Sequence, residues 1–275
     1  MAANYNGYIG DFGEDRTAVH LAAFHAQYKI LYELIEMGAS VNTPTIDGIT
    51  PLHEACSQGN HRCARLLIQA GAQINARNID GSTPLCDAAS SGSIECINLL
   101  LNAGAELNPY QNLSTALHEA VLRDNVEVTE ILVKAGCRLE AMDCHYGTPL
   151  HASSFKGHVG CTKILLDGGA NVNAIKLHES PLHYAAISQN PELVILLLNY
   201  GANLHSTDMQ GRRPLERVQR NSPCGRVLQF YEENPMLLSQ LCRLQIRQSL
   251  GFHGSSGVSQ LGLPRTLQSY VIDMR

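Results

Sequence analysis

The chain has 275 residues, of which 44% are hydrophobic and only 16% charged, and its formal net charge is −5. This composition excludes a disordered, highly charged tail, and the negative charge disfavours a nucleic-acid binder, which needs a basic surface against phosphates. No apolar run is long enough to span a membrane, and the first residues, MAANYNGYIGDFGED, lack the pattern of a signal peptide. Nine cysteines, an odd number, favour free thiols in a reducing compartment. We therefore expect a soluble protein of the cytoplasm, with the nucleus as a second location.

A tetrad of the type Thr-Pro-Leu-His recurs along most of the chain. It reads TAVH at 17, TPLH at 50, TPLC at 83, TALH at 115, TPLH at 148, SPLH at 180 and a divergent RPLE at 213, in steps of 33, 33, 32, 33, 32 and 33 residues. A glycine followed by a small residue recurs in step with it, at 38, 71, 104, 136, 169 and 201. A fixed period of this size is typical of a solenoid, in which each unit buries its apolar face against the next.

The pattern within each repeat predicts two short helices joined by a tight turn. In the second copy, Thr50 can cap the first helix and Pro51 suits its first position, where no N–H is needed. Gly59 stands where a residue of left-handed conformation would end that helix, and a second helix is expected over 62–69. Other residues replace this glycine in three copies: Ala26, Asp124 and Gln189.

These features resemble the ankyrin repeat family, whose unit is a β-turn and two antiparallel helices. The resemblance implies an all-α, ankyrin-repeat solenoid of six to seven repeats, followed here by a small helical region at the carboxyl end. We expect an N-terminal segment (1–13), the repeats (14–225), a linker (226–235) and a C-terminal box (236–275).

Five histidines lie in register in the tetrads: His20, His53, His118, His151 and His183. Metal ligands must converge on one ion, whereas these residues are one repeat apart. Buried structural histidines that bond neighbouring backbone are the favoured interpretation, and Cys86, which replaces histidine in the third copy, supports it. No glycine-rich phosphate loop, paired zinc motif or nucleophile elbow is present, so we expect neither an enzyme nor a metal or cofactor site.

The sequence changes character after the last tetrad. Residues 217–235 read as a partial helix pair or a linker, with Leu228, Phe230 and Tyr231 covering the last repeat. Residues 236–250, MLLSQLCRLQIRQSL, have an amphipathic helical pattern, followed by a Gly/Ser-rich break and VSQLGLPRTLQSYVIDMR.

This tail resembles the SOCS box. Leu238, Cys242 and Ile246 match its elongin-binding pattern, and Leu241 lies beside them. Their spacing of four places them on one helix face, as suits a helix bound in a hydrophobic groove. The alternative is that this helix merely caps the repeats.

The second half of the box has a cullin-contacting pattern, which Leu261, Pro264, Leu267 and Tyr270 match. Gly262 stands where that pattern has its first proline, and Val271 replaces a leucine. These two departures make cullin engagement the less complete half of the resemblance.

Repeats followed by this box resemble the ankyrin repeat and SOCS box family. The resemblance implies a non-catalytic substrate-recognition subunit of an elongin–cullin–RING ubiquitin ligase, which promotes ubiquitination and proteasomal degradation. Its expected partners are elongin B and elongin C, a cullin (by family habit the fifth) with its RING protein, and a protein substrate. The alternative function is an ankyrin scaffold or inhibitor whose tail only caps the stack.

Two sets of residues are candidates for the substrate surface. The residue after the tetrad is a carboxylate in three consecutive repeats, Glu54, Asp87 and Glu119, which predicts an acidic stripe for a basic or amide-rich segment. The alternative is a solvated or hydrogen-bonded set without a partner. Apolar residues at the hairpin tips form the second set: Ile46, Ile79, Tyr110 and Tyr146. The N-terminal segment, with Tyr5, Tyr8 and Phe12, could fold over the first repeat or join this surface.

Overall fold

The computed structural model describes residues 15–108 and 114–234 and the single positions 246 and 268. It divides into two compact units, Met1–Cys137 and Arg138–Arg275. Helices begin at the tetrads, as the repeat pattern predicts, and within the described ranges the extended pairing is limited to one isolated bridge. The predicted all-α repeat architecture is confirmed. No helix in these ranges is long and apolar enough to cross a membrane.

The first unit contains four helix pairs: α1 (Ala18–Phe24), α2 (Tyr28–Glu36), α3 (Pro51–Ser57), α4 (His61–Gln69), α5 (Pro84–Ser91), α6 (Ile94–Asn102), α7 (Ala116–Leu122) and α8 (Val126–Lys134). The second unit contains α9 (Pro149–Lys156), α10 (Val159–Asp167), α11 (Pro181–Ile187), α12 (Pro191–Asn199), a 3₁₀ turn (Pro214–Arg217) and α13 (Pro223–Glu233). Within each unit, the first helix of a pair packs on the first helix of the next pair. The second helices do the same.

The histidine of each tetrad holds the start of its helix. In α3, the backbone N–H of Thr50 donates to Nδ1 of His53 at 3.1 Å, and the Thr50 hydroxyl lies 2.9 Å from the same nitrogen. Because Nδ1 accepts, Nε2 carries the proton, and it donates to the carbonyl of Ser82 in the next repeat at 3.2 Å. Nε2 of His20, His151 and His183 likewise lies within hydrogen-bond distance of a backbone carbonyl beyond its own repeat, so these histidines bond neighbouring backbone, as predicted.

Leucines form the core of the second to sixth repeats. The tetrad leucines Leu52, Leu85, Leu117, Leu150 and Leu182 are buried, and so are the second-helix leucines Leu67, Leu100, Leu132, Leu165 and Leu197. Full burial of one leucine contributes about 1.5–3 kcal/mol to folding. Each of these repeats thus gains a contribution of this size from each of its two leucines.

Left-handed residues end the first helices whether or not they are glycine. Gly92 and Gly157 have φ of 75° and 81°, and Ala26, Asp124 and Gln189 adopt φ of 56–57° at the equivalent position. The geometry of the turn is therefore imposed by the repeat, at a cost of about 1–2 kcal/mol for each residue that is not glycine.

The last repeat is covered by α13. This helix packs on α12, Leu228 and Cys224 are buried, and the Tyr231 hydroxyl donates to Oδ1 of Asn199 at 3.2 Å. The prediction that Phe230 helps to cover the repeat is wrong, because its side chain is 59% exposed. Residues 226–233, which the sequence suggests as a linker, continue this helix.

Candidate protein-binding surfaces

One member of the predicted acidic stripe is already paired with another residue of the same chain. Glu54 is buried, and the guanidinium Nη2 of Arg16 lies 2.7 Å from its Oε1. Burial raises the pKa of Glu54, and the charge of Arg16 opposes this shift. Glu54 is thus engaged in an internal ion pair, and its carboxylate does not face solvent.

Asp87 and Glu119 are the remaining members of the stripe, and both are half-buried. The Ser82 hydroxyl donates to Asp87 at 3.3 Å, and the Ser114 hydroxyl donates to Glu119 at 2.9 Å. Burial raises the pKa of Asp87 to about 7, and the nearby carboxylates of Glu119 and Glu54 add to the shift. Asp87 therefore carries only part of a charge at neutral pH.

The hairpin tips differ in their exposure. Ile46 and Ile79 are 85% and 70% exposed, and the backbone N–H of Ile79 donates to the carbonyl of Asp47 at 2.9 Å, so two consecutive tips lie side by side. Tyr146 is half-buried because its ring packs on Phe155. Tyr110 lies outside the described residues. Two of the four tip residues are thus free to contact a partner.

Three aromatic rings in the second unit form a surface that sequence reasoning missed. The ring centroids of Tyr146 and Phe155 are 5.9 Å apart, and those of Phe155 and Tyr184 are 6.1 Å apart. We call these three residues the aromatic shelf. Phe155, the middle residue of the aromatic shelf, is 44% exposed. The signal was available in the sequence, since Phe155 occupies the seventh position after the capping residue, where Phe24 stands in the first repeat.

An ion-pair network supports the shelf at Tyr184. Burial and the hydrogen bond to the Glu179 carboxylate raise the pKa of Tyr184 to about 12, so its hydroxyl remains a donor at neutral pH. Nη1 of Arg217 lies 2.7 Å from Glu179 and 2.6 Å from Asp208. This network fixes the position of Tyr184.

The predicted elongin- and cullin-binding residues lie outside the described residues, except Ile246, which is helical and half-buried. Among the described residues, no group of three or more His, Cys, Asp or Glu side chains is arranged to hold a metal ion. The eight cysteines described in the structure are free thiols.

Comparison with known proteins extends these observations to the carboxyl end. Ankyrin repeats are matched at residues 19–111, 76–143 and 117–208, and the SOCS box is matched at 234–272. The chain is 51% identical to Ankyrin repeat and SOCS box protein 13 of Homo sapiens, over 96% of both chains, and equally to that of Mus musculus. It is 45% identical to Ankyrin repeat and SOCS box protein 9 of Mus musculus, over 98% of this chain and 92% of that one.

Two solved structures are similar to the repeats. The human ASB11 ankyrin repeat domain aligns with a TM-score of 0.76 and 37% identity, covering 80% of this chain and all of that one. The ankyrin repeat domain of Bcl-3 aligns with a TM-score of 0.66 and 26% identity, over 78% of this chain and 98% of that one. Stretches such as residues 76–96 suggest the thirteenth-numbered family member from the sequence alone, and the identities above agree with this.

Proposed function

This chain belongs to the ankyrin repeat and SOCS box family, and we propose that it is the substrate-recognition subunit of an elongin–cullin–RING ubiquitin ligase. The observation that carries the proposal is a SOCS box at 234–272 directly after the repeats. In this role the chain is not catalytic. It holds a protein substrate, raises the effective concentration of the substrate's lysines near charged ubiquitin, and so promotes proteasomal degradation.

The partners follow from the two halves of the box. Elongin C, together with elongin B, binds the helix face formed by Leu238, Cys242 and Ile246, with Leu241 at its edge. A small apolar cysteine suits a tight pocket in such a groove. A cullin, by family habit the fifth, and its RING protein bind through Leu261, Pro264, Leu267 and Tyr270.

The position of α13 supports this function over that of a scaffold with a capping tail. Solenoids need a cap because the face of a terminal repeat is apolar. Here Cys224 and Leu228 of α13 are buried against the last repeat. Because α13 already covers that face, the repeats do not need the amphipathic segment 236–250 as a cap.

Co-expression with elongin B and elongin C tests the proposal. The double variant Leu238→Asp/Cys242→Asp puts charges on the expected contact face and should abolish co-purification. Gln240→Asp/Arg247→Asp places two carboxylates on the opposite side of the same helical pattern and should leave it intact. The proposal would be contradicted if Leu238→Asp/Cys242→Asp still co-purified with both elongins. It would also be contradicted if the wild-type chain co-purified with neither.

The cullin half can be tested on the complex with both elongins. Gly262→Pro and Val271→Leu restore the usual residues of the cullin-contacting pattern, so each should strengthen cullin binding. Weaker binding of both variants in a titration with purified cullin would contradict this assignment of 261–271.

The acidic stripe and the exposed tips are part of the proposed substrate surface. Because Glu54 is paired with Arg16, we limit the charged part to Asp87 and Glu119. Asp87→Lys/Glu119→Lys should weaken binding of a basic target segment, and an Ile46→Ser/Ile79→Ser variant tests the tips. Substrate affinity unchanged in both folded variants would exclude these residues.

A further inference from the structure

The aromatic shelf is an anchor site that is only partly covered. Tyr146, Phe155 and Tyr184 contact one another in series, and Phe155 is 44% exposed. Isolated exposed apolar residues are common, whereas adjoining aromatic rings are typical of binding hot spots. An approaching side chain can bury the open face of Phe155 at little entropic cost, because its neighbouring rings already hold the ring in place.

The first unit shows how the same repeat positions receive a side chain. Phe24 and Glu54 stand at the seventh and fourth positions after their capping residues, as Phe155 and Tyr184 do in the second unit. Arg16 lies between them, with its guanidinium 5.6 Å from the centroid of Phe24 and 2.7 Å from Glu54. A guanidinium suits this position because Glu54 supplies the opposite charge.

In contrast to the first unit, where the basic side chain of Arg16 is bound, the charges around the aromatic shelf favour an acidic ligand. Tyr184 stands at the position where Glu54 supplies a carboxylate in the first unit. The ion-pair network beside Tyr184 contains equal numbers of negative and positive groups. Its members are two carboxylates, Glu179 and Asp208, and two guanidiniums, Arg212 and Arg217.

The Asp143 carboxylate beside Tyr146 is buried and accepts from the backbone N–H groups of Tyr146 and Gly147, whereas the nearby ammonium groups are open to solvent. Nζ of Lys156 lies 5.9 Å from the centroid of Phe155, and Lys176, whose side chain packs at Gly147, donates to the carbonyl of His145. Among the described residues, no carboxylate lies within 4.0 Å of either ammonium group. A partner that supplies carboxylates would complete these charges.

We propose that the aromatic shelf, with Lys156 at its rim, binds an acidic segment of the substrate that carries an aromatic or large aliphatic side chain next to a carboxylate. The proposal rests on the substrate-receptor function and names the class of segment recognised. The apolar side chain packs on Phe155, and the adjacent carboxylate pairs with Lys156.

A random peptide library displayed on phage and selected against the full chain tests this inference. Enriched peptides should carry an aromatic or large aliphatic residue beside Asp or Glu. The affinity of synthetic copies for Phe155→Ser should fall by about tenfold or more, the loss expected of a hot-spot residue. Phe230→Ser removes an aromatic ring from α13 that is more exposed than Phe155, 59% against 44%, and serves as the control, with affinity unchanged.

A charge exchange keeps the test independent of folding. Lys156→Glu leaves the three rings in place, so it should weaken the acidic peptides and select peptides with Lys or Arg beside the apolar residue. Three results would overturn the proposal: enriched basic peptides whose binding Phe155→Ser weakens, equal binding of the acidic peptides to Phe155→Ser, or no peptide class enriched over that variant. Co-purification of elongin B and elongin C is measured on the same variants. A wild-type chain that does not co-purify with the elongins would count against the ligase function, independently of the peptide results.

Discussion

The buried histidines predict that acid weakens the repeats. Burial lowers the pKa of His53 to about 4, although its bond to the Ser82 carbonyl opposes the shift. In the unfolded chain the imidazole has a pKa of about 6.5. Between these values the unfolded state takes up a proton that the folded state refuses, so the stability present above about pH 6.5 is lost as the pH falls towards about 4.

The size of the effect follows from the two pKa values. Between about pH 7.5 and about pH 5.5, one histidine of this kind lowers the free energy of unfolding by about 1.3 kcal/mol. With a urea dependence of about 2 kcal/mol per molar, the midpoint moves by about 0.6 M. His151, whose pKa burial also lowers to about 4, adds a similar amount in the second unit.

A pair of exchanges isolates the contribution of His53. Asp87 has the opposite pH dependence, because its folded pKa is raised, so the wild-type curve alone mixes both effects. His53→Cys copies the native residue at position 86, where the Thr83 hydroxyl donates to the sulfur at 3.5 Å, and it removes the titrating group. The midpoint of the variant should fall less on acidification, by about 1.3 kcal/mol in free energy.

Urea unfolding followed by far-UV circular dichroism measures this difference. The reverse exchange, Cys86→His, should increase the loss on acidification by a similar amount. An identical pH dependence of wild type and His53→Cys would refute the reasoning, because it would mean that the buried imidazole takes up a proton as readily as in the unfolded chain.

Three further predictions concern stability. Arg16→Met leaves a buried carboxylate without its partner and should cost about 1–3 kcal/mol, most of which Glu54→Gln in the same chain should restore; urea midpoints that simply add would contradict the ion pair. Gly71→Ala should cost about 1 kcal/mol, because φ is +84° and nothing lies within 4 Å of the added carbon. Gly48→Ala should cost about 1–3 kcal/mol more, because its carbon would meet backbone of the next hairpin at 3.0 Å, and equal thermal shifts would refute this. Asp87→Asn should raise stability by about 1 kcal/mol or more at alkaline pH but much less at about pH 5.5, and a gain independent of pH would contradict its raised pKa.

The repeat architecture could be predicted because its signals are local. Thr50 caps a helix three residues before His53, and both lie within one tetrad, so their bond follows from the period alone. The register then places His53 against the next repeat. The capping residues of the first six tetrads are therefore all buried: Thr17, Thr50, Thr83, Thr115, Thr148 and Ser180.

The state of the acidic stripe could not be predicted in this way. Glu54, Asp87 and Glu119 share a register, but only Glu54 has an ion pair. Its partner Arg16 stands directly before the first tetrad, where the next three repeats have the uncharged residues Ile49, Ser82 and Ser114. The aromatic shelf was missed for a related reason. Phe155 gains its importance from contacts with a hairpin tip and with the next repeat, and neither contact is visible in the pattern of one unit.

The most direct test of the central claim is the mass of the assembly that the chain forms in cells producing elongin B and elongin C. The chain itself has a mass of 29.9 kDa. Size-exclusion chromatography with light scattering should give one species that contains one copy of each of the three proteins. A folded chain that elutes alone, with both elongins in separate fractions, would contradict the receptor function and favour a scaffold.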